Sequence, residues 1–414
     1  MPVPERPQPR PYLLPIQDPH DPHHVYLVDQ LGLFDEPVRL PRREFSWLRL
    51  CDGTRGLRDV QAEIVRLGGG ELVPLETLQH TLQRLATAGI LDGPAFRAIA
   101  DSPVREPRCI GGEASALRHQ LRRLFAGPKG PGLPEPPRPN GRLRAALIPH
   151  IDYPRGGHTF AWGFKEVFEK TPASLFIIIG TSHYGAHPDT LGRTIRHWPR
   201  FTLTRKDFKT PLGIARTDQD YIDRLVRHYG EGLFDDELMA HLPEHSIELE
   251  VVFLQYLYEN VRPIRIVPLV VGSFHDCVYS GDEPARRDDV RRMVEALRRA
   301  EAETKEPICY IISGDLAHIG RKFDRHAPPL TTPVLTRSRS QDQAILRKTE
   351  AADPAGFFRI IADEGDRRNI CGLPPTYTVL EAVRPGQGKV LHYDQYIHPH
   401  GYESVSFASV AFYG

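Results

Sequence analysis

Excess charge of either sign is missing from this 414-residue chain: 53 lysines and arginines face 53 aspartates and glutamates. A formally neutral surface gives no global attraction to nucleic acid or to an anionic membrane, so neither is expected as a partner. Cysteine is scarce, with Cys51, Cys109, Cys277, Cys309 and Cys371 widely scattered and no C-x-x-C pair. That argues against a disulfide framework and a structural zinc site, and each thiol is expected to be reduced. No apolar run is long enough for a membrane span, and the start, Met1-Pro2-Val3-Pro4-Glu5-Arg6-Pro7, lacks a signal peptide's apolar core. A cytoplasmic location is the expectation. A G-x-S-x-G nucleophile elbow is also absent, which disfavours a serine hydrolase.

The length calls for more than one core. Residues 1–24, rich in proline, arginine and histidine, read as an extended arm, with His20, His23 and His24 as solvated tail residues. Residues 25–98 read as a small α+β, winged-helix-like domain. Val25–Val28 and Leu31–Phe34 look like short strands, a helix opens at Phe45, and helical spacing follows through Leu57, Val60, Ile64 and Leu67 and then Leu75 to Leu85. Residues 99–141 supply a basic helix near Arg118–Phe125 and a proline-glycine linker, Gly127–Pro137. From residue 142 to 414 strands and helices alternate, which predicts an α/β domain with a central, mostly parallel sheet flanked by helices.

The chemistry gathers at the carboxyl ends of the predicted strands, where open α/β sheets place their ligands. Pro307–Ile312 is an uncharged run without helical period that delivers Asp315 and His318 into a turn. Leu143–Ile148 releases His150, and Ser174–Ile179 releases His183. If those two strands are neighbours, about 5 Å apart, their imidazoles can share one metal ion. Glu244, His245 and Glu248 fall on the first turns of a long amphipathic helix, where the acids either serve the site or offset the helix dipole. Cys371 precedes a glycine turn and reads equally as a small buried residue or a ligand.

Five stretches occur in the order of one known family: Pro149-His150-x-x-Tyr153, Gly180-x-Ser182-His183, Glu244-His245-Ser246-Ile247-Glu248, Ser313-x-Asp315-x-x-His318 and Ile370-Cys371-Gly372. With them the large domain resembles the Memo family, which is similar in fold to the class III extradiol-type dioxygenases. The resemblance implies that His150, His183 and Cys371 bind a metal and that Asp315 and His318 stand beside it in acid/base or substrate roles. Asp152, Tyr153, Ser182, Glu244, His245 and Glu248 then lie around the metal or at the substrate. It also implies, as partners, an AMMECR-type protein and a radical-SAM protein. Two departures are visible: Ile151 and Asp152 replace small residues after the first histidine, and the aromatic-proline opening motif is eroded around Cys109-Ile110-Gly111-Gly112. The run Leu50–Leu57 resembles a PqqD-like module, which implies a bound peptide at the N-terminal domain.

Two histidines and one anion leave open positions on ferrous iron (Fe2+), while a thiolate also suits cuprous copper (Cu+) or zinc (Zn2+). The first functional reading is therefore a non-heme iron, dioxygenase-like oxidoreductase in which His318 moves a proton and Asp315 orients it. The second is a non-catalytic copper or iron scaffold that docks peptide or protein partners. A metal-assisted hydrolase ranks third.

Overall fold

The computed structural model describes residues 3–34, 36–70, 72–139, 142–184 and 199–414. They form two compact units, one ending at Pro103 and the other comprising 104–184 and 199–414. No described helix is long and apolar enough to cross a membrane.

The first unit contains β1 (Leu13–Gln17), β2 (His24–Asp29), β3 (Val38–Pro41), α1 (Arg42–Leu48), α2 (Leu57–Leu67), α3 (Leu75–Thr87) and α4 (Pro94–Ala100). Its strands form an antiparallel sheet in the order β1-β2-β3. Apolar residues at helical spacing, Val60 and Ile64 on α2 and Leu78, Leu82 and Leu85 on α3, close one core with Leu13, Leu27 and Leu40. Two expectations are corrected here. Residues 1–24 are not simply an arm, because β1 pairs along its whole length with β2 and buries Leu13. Leu31–Phe34 is not a strand: the Asp29 carboxylate accepts the N–H groups of Leu31 and Phe34 at 3.0 and 2.9 Å, which winds the chain into a turn.

The second unit opens with β4 (Val104–Arg105), α5 (Ala114–Ala126), β5 (Leu143–Ile148), α6 (Tyr153–Lys170) and β6 (Leu175–Thr181). After the undescribed stretch come β7 (Phe201–Leu203), β8 (Asp207–Thr210), β9 (Gly213–Thr217), α7 (Gln219–Tyr229), α8 (Glu237–His241) and α9 (Glu248–Tyr258). Then follow β10 (Arg265–Val271), α10 (His275–Ser280), α11 (Asp288–Ala302), β11 (Ile308–Ser313) and β12 (His318–Ile319). The chain ends with α12 (Thr332–Glu350), α13 (Pro354–Asp363), α14 (Leu373–Val383), β13 (Gln387–Ile397) and β14 (Ser404–Tyr413).

Its eleven described strands make one sheet in the order β12-β14-β5-β11-β6-β10-β9-β8-β4, with β13 also on β14 and β7 on β10. The centre, β5-β11-β6-β10, is parallel. The sheet as a whole is mixed, not mostly parallel, and in two of its antiparallel pairs, β8-β9 and β13-β14, a short link forces that direction. Two residues join β8 to β9 and six join β13 to β14, far fewer than a parallel crossover needs. Helices cover both faces. On one, α7, α11 and α14 bury Tyr221, Val290 and Tyr377 against Ala145, Ile177 and Ile312. On the other, Phe160 and Phe164 of α6 stack on Phe253 of α9 at 5.2 and 5.0 Å between ring centres.

The proline-glycine run is not a free linker between units. It is folded within the larger unit, where Trp162 Nε1 donates to Lys129 O at 3.0 Å and Lys165 Nζ to Leu133 O at 3.0 Å. The long amphipathic helix expected from His241 is also revised: α9 starts only at Glu248, and its first eight residues are all buried. Ahead of α7 the described residues add β7, β8 and β9, three short strands, while 185–198 lies outside the described residues.

Two glycines let the end of β11 meet the Cys371 turn. Gly372 N donates to Asp315 O at 2.9 Å, and a Cβ on Gly314 would lie 2.5 Å from Gly372 Cα. Gly314→Ala is expected to cost about 1–3 kcal/mol in urea unfolding, whereas Gly111→Ala, with open space around it, should stay within about 0.5 kcal/mol.

Candidate metal centre

Strand register sets the site. Ser313 on β11 pairs with Ile148 on β5 and with Gly180 on β6, so three strand ends are level. Two or three residues further along each strand come His150, Asp315 and His183. The expectation that the two histidine strands are neighbours is corrected: β11 lies between them, which sets them about 10 Å apart. The side chains close the gap, with imidazole centres 4.8 Å apart.

Each imidazole has one nitrogen engaged by protein. Glu244 accepts His183 N at 2.8 Å and His183 Nδ1 at 3.0 Å. Ser313 Oγ donates to Ser246 O at 2.6 Å, which leaves it to accept from His150 Nδ1 at 3.3 Å. In both rings Nε2 is thereby left as the donor atom for a cation. Cys371 Sγ lies 3.2 Å from His150 Nε2, and the backbone of its turn is pinned to β6 by Thr181 Oγ1 donating to Cys371 O at 2.7 Å. One donor atom each from His150, His183 and Cys371 falls within 4.8 Å of the others. Nitrogen and sulfur ligands on a tetrahedral metal would stand about 3.6 Å apart, so the set fits a metal ion with little movement.

Two further groups have the required proximity: His183, Glu244 and His245, and Asp315, His318 and Cys371. The first is a poor cage. Glu244 Oε1 already accepts His183 Nδ1, His245 N and Ser246 N, so the carboxylate holds its neighbours in place with few lone pairs to spare. The second borders the main set: Asp315 Oδ2 is 3.9 Å from both His150 Nε2 and His318 Nε2.

Burial pushes His150 well below its ordinary pKa, so it is neutral, as a ligand must be. Burial also opposes the charged form of His183, but Glu244 and Cys371 outweigh it and raise the group. Glu244 is likewise opposed by burial, yet His183 and the N–H groups hold it ionised, below the usual carboxylate range. Asp315 rises to about 7 through burial, against the pull of His150 N–H and His183. Burial and His183 lower His318 to about 4. His318 Nδ1 faces the carbonyls of Leu316 and Asn369 at 3.1 Å each, which turns Nε2 toward Asp315. Asp315 is too far away to orient His318, as the sequence reading had it; those two carbonyls do so.

The expected surrounding residues separate into distinct jobs. His245 belongs to the cluster, its ring 4.6 Å from His183 and 5.3 Å from His150. Asp152 is exposed, caps α6 and pairs with Arg155 at the mouth of a cavity of about 380 Å³ above the site. Ser182 Oγ bonds Tyr184 O at 3.2 Å and lines a neighbouring cavity. Tyr153 does not face the site: it is buried between Phe160 and Phe253 and donates to Leu249 O at 2.7 Å. Glu248 is not at the metal either. It accepts Arg105 Nη1 at 2.7 Å and the N–H groups of Arg108, Cys109 and Ile110, and so straps residues 105–110 over the cavity as a wall.

Sequence reasoning missed Arg105, Ser313 and Glu250. Arg105 is buried and also donates to His241 O at 2.8 Å and to Glu244 O. No local pattern announces a contact across more than 130 residues. Ser313 sits in a quoted motif but reads there as a strand residue. Glu250, fully buried beside Ser313, is pushed well above the ordinary carboxylate value by burial and therefore stays neutral.

Removing the carboxylate that orients His183 should loosen the metal: Glu244→Gln is expected to lower affinity about 10–100-fold by competitive chelator titration. In the same assay Cys371→Ser should weaken cuprous binding more than magnesium or manganese binding, while His183→Ala should weaken every metal. An unchanged metal preference in Cys371→Ser would refute thiolate ligation.

The sequence model of the family described as Memo-like protein matches residues 111–411. A MEMO1 family protein of Aquifex aeolicus is 24% identical over 400 residues, covering 93% of this chain and 95% of the relative. One from Methanopyrus kandleri is 28% identical over 298 residues, 70% of this chain and 90% of the relative. Another from Thermococcus kodakarensis is 29% identical over 258 residues, 61% of this chain and 80% of the relative. The matched segment holds all seven residues of the three groups, His150, His183, Glu244, His245, Asp315, His318 and Cys371, and the chain belongs to the Memo-like protein family.

Proposed function

We propose that this protein is a metal-dependent oxidoreductase, iron-loaded and dioxygenase-like, with His150, His183 and Cys371 as ligands. The observation that carries the reading is the convergence of two oriented imidazoles and one thiol beneath a cavity. When bound, ferrous iron supplies one-electron redox chemistry and open coordination positions for substrate. The chain does the rest. Glu244 and Ser313 hold the imidazoles, and the strap fixed by Glu248 forms one wall of the cavity. His318, held through Nδ1 by two carbonyls, presents the Nε2 lone pair of a proton acceptor. A relation in fold to the extradiol-type dioxygenases is part of this proposal and is supported by the parallel centre that places the histidines at strand ends.

The sulfur supports a second reading, a binding scaffold for cuprous copper or zinc, because thiolate is a soft ligand. Metal analysis of protein purified without oxygen, followed by oxygen uptake with catechol, separates the two. The enzyme reading expects iron near one equivalent and uptake that disappears in His150→Ala. Stoichiometric copper without uptake would favour the scaffold.

For the unit ending at Pro103 we propose an interaction role in the cytoplasm. In its support, every described cluster able to hold a metal lies in the other unit. A winged-helix or PqqD-like identity with a bound peptide, and AMMECR-type and radical-SAM partners, enter this proposal on the motif resemblance.

A further inference from the structure

A second, larger cavity of about 810 Å³ adjoins the metal site and shares His318 and Phe323 with it as walls. Three carboxylates, Asp324, Glu364 and Asp366, and three arginines, Arg337, Arg367 and Arg368, stand on its wall. Every carboxylate on its wall is already engaged: Glu364 by Arg368 at 2.8 Å and Gln341 at 2.7 Å, Asp366 by Ile370 N at 2.8 Å and His275 at 3.3 Å, Asp324 by His326 N at 2.8 Å. The cations are not all used. Among the described residues no acceptor holds the guanidinium of Arg337, and Arg367 donates only through Nε, to Glu364 O at 2.8 Å. Both side chains are exposed. Tyr279, Leu330, Val334 and Phe323 add apolar surface to the same wall, which His318 also lines.

From this arrangement we propose that the chamber binds the carboxylate tail of an organic acid, with an aromatic or aliphatic body lying over Phe323 toward His318. The inference deepens the oxidoreductase reading and rests on it for the fate of the reacting end. Two planar guanidinium forks suit a carboxylate, and the apolar wall suits the body. A phosphate would want a cradle of backbone N–H groups, but those of Gly365, Asp366, Asn369 and Ile370 are spent on Ala362 O, Ile361 O, Asp366 O and the Asp366 carboxylate. A carboxylate on the substrate would also anchor it at a distance from the metal, leaving the other end free to react.

The test uses the full chain without added metal, so that it does not depend on the metal reading. Binding of 3-phenylpropionate is compared by calorimetry with the neutral 3-phenylpropanamide. The acid is expected to bind about tenfold more tightly, the worth of one or two charge-assisted hydrogen bonds at an open site. Arg337→Gln and Arg367→Gln should each reduce that preference. Equal affinity for acid and amide, or a preference untouched by both arginine variants, would overturn the proposal. Tighter binding of phenyl phosphate than of the acid would overturn the carboxylate assignment. Should the chamber select the acid while the protein holds no redox metal, the enzyme reading alone fails.

Discussion

The level ending of three parallel strands is the constraint on which the centre depends. Ile148, Ser313 and Gly180 lie side by side across β5, β11 and β6, and that row sets where His150, Asp315 and His183 leave the sheet. Side chains alternate along a strand, so a slip of one residue in β11 would turn Ser313 away from His150 and Asp315 away from both imidazoles. The register is strongly held because β6 and β11 are buried along their whole length. Each apolar side chain on them would have to leave its place for the row to move.

Glu244 and Glu248, four residues apart, show how a local charge pattern divides into separate tasks. A continuous helix would stack them on one face. Instead Glu244 accepts His245 N and Ser246 N, groups that a helix would need for itself, and this holds the chain in a turn until α9 begins at Glu248. The turn lets Glu244 reach His183, and Glu248, at the helix start, gathers three backbone N–H groups and Arg105. Since Arg105 also grips the carbonyl of Glu244, the two acids are mechanically joined although only Glu244 touches His183.

Much of this was legible in the sequence, for a physical reason. Strands buried on both faces write themselves as unbroken apolar runs, so β5, β6 and β11 and the residues they release could be named directly. Their order could not. That β11 enters between β5 and β6 depends on how far-separated segments pack, and no periodicity records it. The short strands β7, β8 and β9 were invisible because each has at most five residues, and exposed residues such as Lys209 and Arg216 interrupt β8 and β9. Glu248 was visible as a residue but its task was not, since its partners at 105–110 lie some 140 positions away. His245 could be placed near the site by motif and still be undervalued, because a turn, not a helix, carries it in.

The buried acids of the site differ in how their burial is met. Glu244 remains charged because His183 and a set of N–H groups repay its desolvation. Glu250, with no cation beside it, stays neutral. Asp315 lies between these limits, facing His150 and His318 without a full countercharge. A buried charge is tolerated only where an opposite charge or several hydrogen bonds meet it. Within this cluster, the place where a positive ion would relieve Asp315 and allow the Cys371 thiol to lose its proton is the gap between Sγ and the two Nε2 atoms. The same ion would be ill placed beside Glu244, whose lone pairs are taken.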